Sequence, residues 1–272
     1  MTSAVKWLPR ALLYAAAILL SLWVLVPIYF ITLAAFSTQE DVYTYPKKLL
    51  PTELSTDTMS FFLHSAGVTD SLWQSVWVAA VTLVISLGIG IPAGYAIARF
   101  AFRGADAFRL TIVSTRAFPI VILSIPLAVL FLQWGIDDSI LGVSLAHTAL
   151  ALPFAVLVTS SVFAGISVEL EEAALTLGCN RFNAVRRVVL PLALPGLAAA
   201  AIFVFIISWN EVFAASILTL RNPTLPAQVL SVLNEAPLPF KFAGGFFMLA
   251  PAFIVIFVIR KYVFNMWGRV VR

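Results

Sequence analysis

The chain has 272 residues, of which 61% are hydrophobic and 11% are charged, with a formal net charge of +4. Its mean hydropathy of +1.01 excludes an ordinary soluble domain. Several apolar runs approach or exceed the roughly 18 to 20 residues that a helix needs to cross a bilayer. The composition therefore predicts an all-α, polytopic membrane protein. Nucleic-acid binding is not expected, because the basic residues cluster at the ends of apolar runs.

Six apolar runs predict six spans within one transmembrane domain that covers residues 1–272. The predicted spans are Ala11 to Phe36, Ser71 to Ala98, Leu110 to Trp134, Ile140 to Gly165, Leu194 to Leu220 and Ala243 to Val263. Gly90 and Gly94 in the second span have the small-residue spacing that permits a close helix contact. Pro119 and Pro126 fall inside the third span, and Pro153 is predicted to break the fourth.

The distribution of Lys and Arg predicts the orientation of these spans. Because the number of spans is even, both termini lie on the same side of the membrane. That side carries Lys6, Arg10, Arg99, Arg103, Arg109, Arg181, Arg186, Arg187, Arg260, Lys261, Arg269 and Arg272. The opposite side carries Lys47, Lys48, Arg221 and Lys241. The positive-inside rule then predicts that both termini are cytosolic.

A polar segment, residues 166–192, separates the fourth and fifth spans and is predicted to be cytosolic. Its apolar and polar positions alternate with helical period from Val168 to Leu177. Ser167 is a suitable N-cap, and Gly178 can end the helix because it tolerates positive φ. Asn180 can cap a second short helix through Val189, after which prolines mark the return to apolar sequence. From these residues alone, the segment is either a solvated loop or a docking surface.

Two charged residues fall well inside predicted spans, namely Arg116 and Glu211. Charges in a bilayer are costly, so they normally face the bundle interior or a wet cavity. These two either pair with each other or reach an interface, or Arg116 faces a solute. Trp209, Asn210 and Glu211 also form a polar and aromatic patch. Such a patch suits a sugar ring, and it equally suits helix packing.

The prolines Pro119, Pro126 and Pro153 are either static kinks or points at which gating helices rearrange. His64 and His147 stand far apart in the sequence without obvious partners, so a structural role is predicted for both. The motifs GxxxxGK[ST], HExxH, CxxC and GxSxG do not occur in the sequence. The chain is therefore not expected to bind ATP or a metal itself.

Within the polar segment, Glu172-Ala173-Ala174 is followed by three residues, Gly178, nine residues, and then Val188-x-Leu190-Pro191. This spacing resembles the EAA loop of ABC-importer permeases, with Val188 in place of isoleucine. Further matches resemble the carbohydrate-uptake permeases of the maltose-system G type. They are Ala93 to Phe100, Phe118-Pro119, Asp138-Ser139, Pro153-Phe154 and Trp209-Asn210.

The resemblance implies the type I ABC-importer permease fold and a bacterial inner-membrane location. It implies three kinds of protein partner: a second homologous permease, two ATPase subunits that bind ATP and Mg²⁺, and an external solute-binding protein. The loop would dock into a cleft of the ATPase through Glu172, Ala173, Ala174, Gly178, Leu190 and Pro191. Further candidate contacts, which the family pattern does not specify, are Glu169, Arg181 and Arg186. The candidates for the solute pathway are Arg116, Trp209, Asn210 and Glu211.

A sugar or sugar derivative is the predicted cargo of such an importer. A polyol, glycerol phosphate or another non-sugar solute is the first alternative. A different class, an intramembrane enzyme built on Arg116, His147 and Glu211, would leave the loop spacing unexplained. A passive channel would need a wet polar lining, for which the spans are too apolar.

Overall fold

A computed structural model describes residues 4–47, 49–50, 53–100 and 102–267, and every regular element in these ranges is helical. The α-helices are α1 (Ala4–Ala35), α2 (Gln39–Tyr43), α3 (Asp57–His64), α4 (Val68–Arg99), α5 (Ala105–Ser114), α6 (Ile120–Trp134), α7 (Ile140–Ala164), α8 (Val168–Thr176), α9 (Arg181–Ala184), α10 (Leu190–Trp209), α11 (Phe213–Leu218), α12 (Leu225–Val232) and α13 (Leu238–Trp267). A 3₁₀ turn (Thr115–Ala117) follows α5, and a π-helical turn (Val185–Val189) joins α9 to α10. Lys48, Arg269 and Arg272 of the predicted charge pattern lie outside the described residues.

Five helical segments in the described ranges are long and apolar enough to cross a membrane. They are Arg10–Ala35, Val68–Arg99, Ile140–Ala164, Arg181–Trp209 and Leu238–Val258. A sixth is obtained if Ala105–Ala117 and Ile120–Trp134, which meet at a bend of 88°, form one span. Most large apolar side chains of α1 between Leu12 and Val26 are exposed, which fits a helix surrounded by lipid or by another membrane subunit.

The chain divides into two compact units. The first comprises residues up to Ala66 together with Leu233–Phe247. Its core is aromatic: the ring of Phe62, which is fully buried, lies 4.8 Å from Phe240 and 5.3 Å from Phe247 between centroids. The Thr58 hydroxyl donates a 2.8 Å hydrogen bond to the carbonyl of Ser37. These contacts fasten α3 to the end of α1 and to the start of α13.

The second unit comprises Gly67–Val232 and the chain from Met248, and it is built on the pair of helices α4 and α7. Small residues bring the two backbones together. A Cβ atom added to Gly94 would lie 2.1 Å from Thr159 Oγ1, and one added to Gly90 would lie 3.0 Å from the Ala155 Cβ. At this crossing the Thr159 hydroxyl also donates to the carbonyl of Gly90, at 2.8 Å. The close contact predicted from Gly90 and Gly94 is confirmed.

The third predicted span is not a straight helix. It is interrupted between Ala117 and Ile120, where Phe118 and Pro119 are extended. Proline has no N–H to donate and restricts the residue before it to extended conformations, so the helix ends at this point. Pro119 therefore lies at the break just before α6, whereas Pro126 lies within α6.

Pro153 does not break the fourth span, contrary to the prediction, because α7 is continuous from Ile140 to Ala164. Ala151 and Ala155, on either side of this proline, are fully buried against Val204 of α10. Prolines are tolerated within membrane helices where neighbouring helices pack around them.

The fifth span also differs from its prediction of Leu194 to Leu220. The helix begins at Arg181, passes through Pro191 and Pro195, and ends at Trp209. The second helix of the polar segment is therefore not short. The π-helical turn, in which the N–H of Leu190 donates to the carbonyl of Val185, widens the helix just before Pro191. This widening makes room for the proline ring, which would otherwise crowd a carbonyl of the preceding turn.

The contact between α4 and α7 predicts opposite effects of alanine at two glycines of α4. Gly94→Ala places a methyl group against Thr159 Oγ1 and 2.7 Å from the backbone nitrogen of Ser160. We expect it to destabilise the protein by about 1–3 kcal/mol, as overpacking does. Gly88→Ala is the matched control, because an added Cβ there meets nothing within 4 Å.

Thermal unfolding of the two variants in detergent checks this prediction. The melting temperature should fall for Gly94→Ala and should be unchanged or higher for Gly88→Ala, since alanine favours the helix. Equal melting temperatures would contradict the close contact.

Candidate functional site

The polar segment between α7 and α10 is a capped helix–turn–helix. The Ser167 hydroxyl accepts a 3.3 Å hydrogen bond from the N–H of Glu169 at the start of α8. The Asn180 side chain accepts one of 2.8 Å from Asn183 N–H at the start of α9. Both predicted N-caps are confirmed, so each helix has a defined first turn.

The turn between α8 and α9 depends on Gly178, whose φ of 88° lies in the left-handed region. The N–H of Gly178 donates to the carbonyl of Leu175, and the N–H of Cys179 donates to that of Ala174, both at 3.0 Å. This pair of bonds is the Schellman motif, which ends helices with a glycine in this conformation. The predicted role of Gly178 in the turn is confirmed.

The outer face of this helix–turn–helix is open. Glu172 and Ala173 are exposed, Leu177 is 85% exposed, and Phe182 is 71% exposed. Other exposed residues that the sequence singled out are Glu169, Gly178, Arg181, Arg186 and Pro191. Ala174 is buried and Leu190 is half-buried, so these two face the protein. Large apolar side chains that protrude from a charged turn are typical of a surface that binds another protein.

The inner face of α8 carries Glu171, which the sequence analysis did not single out. Its carboxylate lies 3.2 Å from Arg99 Nε and accepts a hydrogen bond from the Tyr95 hydroxyl. The Arg99 guanidinium also donates to the carbonyls of Phe163 and Ile166, each at 3.0 Å. Adjacent residues of a helix point about 100° apart, so Glu171 can face the protein while Glu172 faces outward. Helical spacing was the only signal in the sequence that set Glu171 apart from Glu172.

Glu211 is not inside a helix, as the span prediction had placed it, but in the break after α10. Its buried carboxylate accepts hydrogen bonds from the N–H groups of Ala214 (2.8 Å) and Ala215 (2.9 Å) at the start of α11. The same carboxylate lies 3.2 Å from His147 Nε2, without hydrogen-bond alignment. His147 Nδ1 lies 2.9 Å from the Ser208 hydroxyl. His147 thus has two partners that the sequence did not reveal.

The remaining candidates for a solute pathway lie in different surroundings. Trp209 is 2% exposed, its ring stacks on Phe205, and its indole N–H donates to the carbonyl of Met248 at 3.0 Å. Asn210 and Arg116 are exposed, Arg116 in the 3₁₀ turn after α5. Among the described residues no ion pair joins Arg116 to Glu211, so the suggested pairing of these two is wrong.

Comparison with known proteins identifies the family of the chain. Residues 86–266 match the family described as binding-protein-dependent transport system inner membrane component. The chain belongs to this family. It is therefore a permease subunit of the inner membrane and not an enzyme.

Named relatives support the same assignment. The permease is 30% identical to the trehalose transport system permease protein SugB of Mycobacterium tuberculosis, over 90% of this chain and 88% of SugB. It is 29% identical to the diacetylchitobiose uptake system permease protein DasC of Streptomyces coelicolor, over 72% of this chain and 71% of DasC.

The fold of the permease matches that of a chain in the crystal structure of a bacterial ABC transporter involved in the import of the acidic polysaccharide alginate. The TM-score is 0.74 at 23% identity, and the match covers 96% of this chain and 99% of that chain. Both polypeptides thus share the fold of an ABC-importer permease over almost their whole length.

A second polar contact in the permease, also missed from the sequence, fixes the turn between α6 and α7. The carboxylate of Asp138 accepts hydrogen bonds from the backbone N–H groups of Leu220 (3.0 Å), Arg221 (3.1 Å) and Asn222 (3.2 Å). The contact ties this turn to the segment between α11 and α12. Within the described residues there is no cluster of three or more His, Cys, Asp or Glu that would hold a metal ion.

The buried Glu211 carboxylate leads to a prediction about stability. Glu211→Ala removes the acceptor for two N–H groups and the partner of His147. Buried groups left without partners cost about 1–3 kcal/mol each, so we expect a loss of about 3 kcal/mol or more. Glu235→Ala, at an exposed glutamate, is the control.

Chemical or thermal unfolding in detergent measures the difference between these variants. The Glu211→Ala protein should unfold at clearly lower denaturant or temperature than the Glu235→Ala protein. If both variants matched the parent protein, the carboxylate would not hold the start of α11.

Proposed function

We propose that this permease forms half of the pathway by which an ATP-driven importer carries a sugar or sugar derivative into the cell. Two relatives that align with most of the chain are named for the transport of trehalose and of diacetylchitobiose. The solved importer that shares its fold is described as importing alginate, which is a polysaccharide. These three cargoes have in common linked sugar rings, and this supports a carbohydrate cargo over a polyol or glycerol phosphate.

The energy would come from two separate ATPase subunits, which hold ATP and Mg²⁺. The absence of a GxxxxGK[ST] motif from the 272 residues supports the assignment of ATP binding to separate subunits. A second, homologous permease would complete the pathway, and an external solute-binding protein would deliver the sugar. The excess of Lys and Arg at one set of span ends supports the placement of both termini and of the loop between α7 and α10 in the cytosol.

The observation that carries the coupling role is the exposed outer face of α8 and α9. Leu177 and Phe182 protrude on either side of the Gly178 turn, next to Glu172 and Ala173. The two apolar side chains would enter a cleft of the ATPase, while Glu172 would form polar contacts at its edge. Arg181 and Arg186, which are exposed nearby, would meet acidic groups of the ATPase.

The transport cycle follows from differential binding. ATP stabilises the closed ATPase dimer more than the open one, and the docked loops move with it. The membrane helices then expose the solute pathway to one side or to the other. Arg116 and Asn210 are exposed and remain candidates for solute contact. The bend at Pro119 and the prolines Pro126 and Pro153 are candidates for the points at which helices rearrange.

Photo-crosslinking tests the docking surface directly. A benzophenone amino acid replaces Leu177, which is 85% exposed, or Leu220, which is 87% exposed and lies between α11 and α12. In native membranes we expect irradiation to join position 177 to the ATPase subunit and to leave position 220 unjoined to it. Equal yields at both positions, or none at position 177, would exclude this surface as the docking site.

Uptake by the purified complex tests the cargo. The complex is reconstituted in liposomes with its binding protein, and uptake of labelled trehalose and diacetylchitobiose is compared with that of sorbitol and glycerol 3-phosphate. We expect ATP-dependent accumulation of at least one of the two sugars. ATP-dependent uptake of only sorbitol or glycerol 3-phosphate would replace the sugar assignment by the alternative.

A further inference from the structure

One buried cluster joins the coupling helix α8 to two membrane helices. Tyr95 and Arg99 are four residues apart in the last turns of α4, so they share one face of that helix. Both contact the carboxylate of Glu171 in α8, Arg99 through Nε at 3.2 Å and Tyr95 through its hydroxyl. The side chains of Arg99 and Glu171 are only 6% and 12% exposed. The contact is thus shielded from water and from salt screening.

The same guanidinium also binds the end of α7. Its two terminal nitrogens donate to the carbonyls of Phe163 and Ile166, each at 3.0 Å. The last carbonyls of a helix have no partner within the helix, and a cation there also complements the helix dipole. Arg99 therefore connects three elements at once: α4, the end of α7, and α8.

Aromatic packing holds the third member of the cluster in place. The ring of Tyr95 stands edge-on to Phe163 of α7, with 5.4 Å between centroids and an interplanar angle of 88°. The tyrosine hydroxyl is thus directed at Glu171 by a ring that is itself fixed between α4 and α7. Only Gly165, Ile166 and Ser167 separate α7 from α8 along the chain. The short connection and the cluster together leave α8 little freedom to move apart from α7.

The two neighbouring glutamates of α8 thus lie on different faces of the helix. Glu172 is exposed on the outer face, whereas Glu171 and Ala174 are buried on the inner face. An apolar residue at position 171 would hold α8 by packing alone, which allows sliding. A guanidinium bound to a carboxylate and to two carbonyls fixes direction as well as distance, because its donors form a rigid planar fork.

We propose that Arg99, Glu171 and Tyr95 form the mechanical link that makes α8 move as one body with the ends of α4 and α7. The inference deepens the proposed function, since it rests on the docking of α8 and α9 to an ATPase. The three residues are positioning residues, because none of them contacts ATP or the solute. Through the close contact at Gly90 and Gly94, a displacement of α8 reaches α4 and α7 together and not one of them alone.

Conservative variants of the whole transporter test the link. Arg99→Lys keeps the charge but has no planar fork, so it cannot reach Glu171 and both carbonyls together. Glu171→Gln keeps the shape and removes the charge. The controls are Arg103→Lys, at an exposed arginine, and Asp106→Asn, at an aspartate whose side chain is 97% exposed.

The decisive measurement is the amount of sugar transported per ATP hydrolysed in liposomes. We expect it to fall about tenfold in Arg99→Lys and in Glu171→Gln, within the usual range of coupling between distant sites. Both controls should match the parent. The variants should still contain the ATPase after purification and should still form the crosslink at position 177, which separates loss of the link from loss of docking.

Two outcomes would overturn the proposal. The first is an unchanged ratio of sugar to ATP in Arg99→Lys and Glu171→Gln. The second is a lower yield of folded transporter whose remaining molecules have the parent ratio, because that pattern belongs to a merely stabilising contact. If either variant fails to assemble, Tyr95→Phe decides, since it deletes one hydroxyl and keeps the ring packed on Phe163. A parent ratio in that variant would also overturn the link.

Discussion

The second unit depends on how closely two membrane helices approach each other. Lipid tails are as apolar as leucine side chains, so helices in a bilayer gain little by hiding apolar surface from their solvent. Their association relies on packing and on hydrogen bonds, and both require short distances. Gly90 and Gly94 permit these distances, and Thr159 uses them to donate to a carbonyl of α4. The same crossing brings the end of α4 to the end of α7, where Arg99 meets Phe163 and Ile166.

Three buried or partly buried charges of the permease share one task, which is to satisfy backbone groups where regular helix stops. Arg99 serves carbonyls at the end of α7, Glu211 serves N–H groups at the start of α11, and Asp138 serves N–H groups before α12. A backbone group without a partner is more costly in a membrane than in water, so a side chain that supplies the missing partner stabilises the helix break. Ionisable residues inside an apolar chain need not mark a solute or a catalytic site, although that is their usual interpretation.

The difference between local signals and contacts distant in sequence explains which parts of the molecule the sequence predicted and which it did not. Hydropathy located the membrane helices, and local capping signals at Ser167, Gly178 and Asn180 located the turns of the loop, because these signals act over a few residues. The sequence placed the ends of the fifth span wrongly. Pro191 is accommodated by a π-helical turn, and the helix ends at Trp209 because a carboxylate two residues later starts a new one. These outcomes depend on contacts between residues distant in sequence, such as His147 with Glu211, which no local pattern encodes.

The loop between α7 and α10 shows the same difference between local spacing, which the sequence reveals, and distant contacts, which it does not. The spacing from Glu172 to Pro191 singles out mainly residues that face outward, whereas Ala174 and Leu190 of the same motif face the protein. It does not reveal Glu171, whose partners Tyr95 and Arg99 lie more than 70 residues earlier in the chain. Yet an outward surface on a short helix transmits force only if its inner face is held. A docked α8 with a loose inner face would turn on its own axis and leave the membrane helices where they were. In the proposed coupling, the buried carboxylate is therefore as necessary as the exposed one beside it.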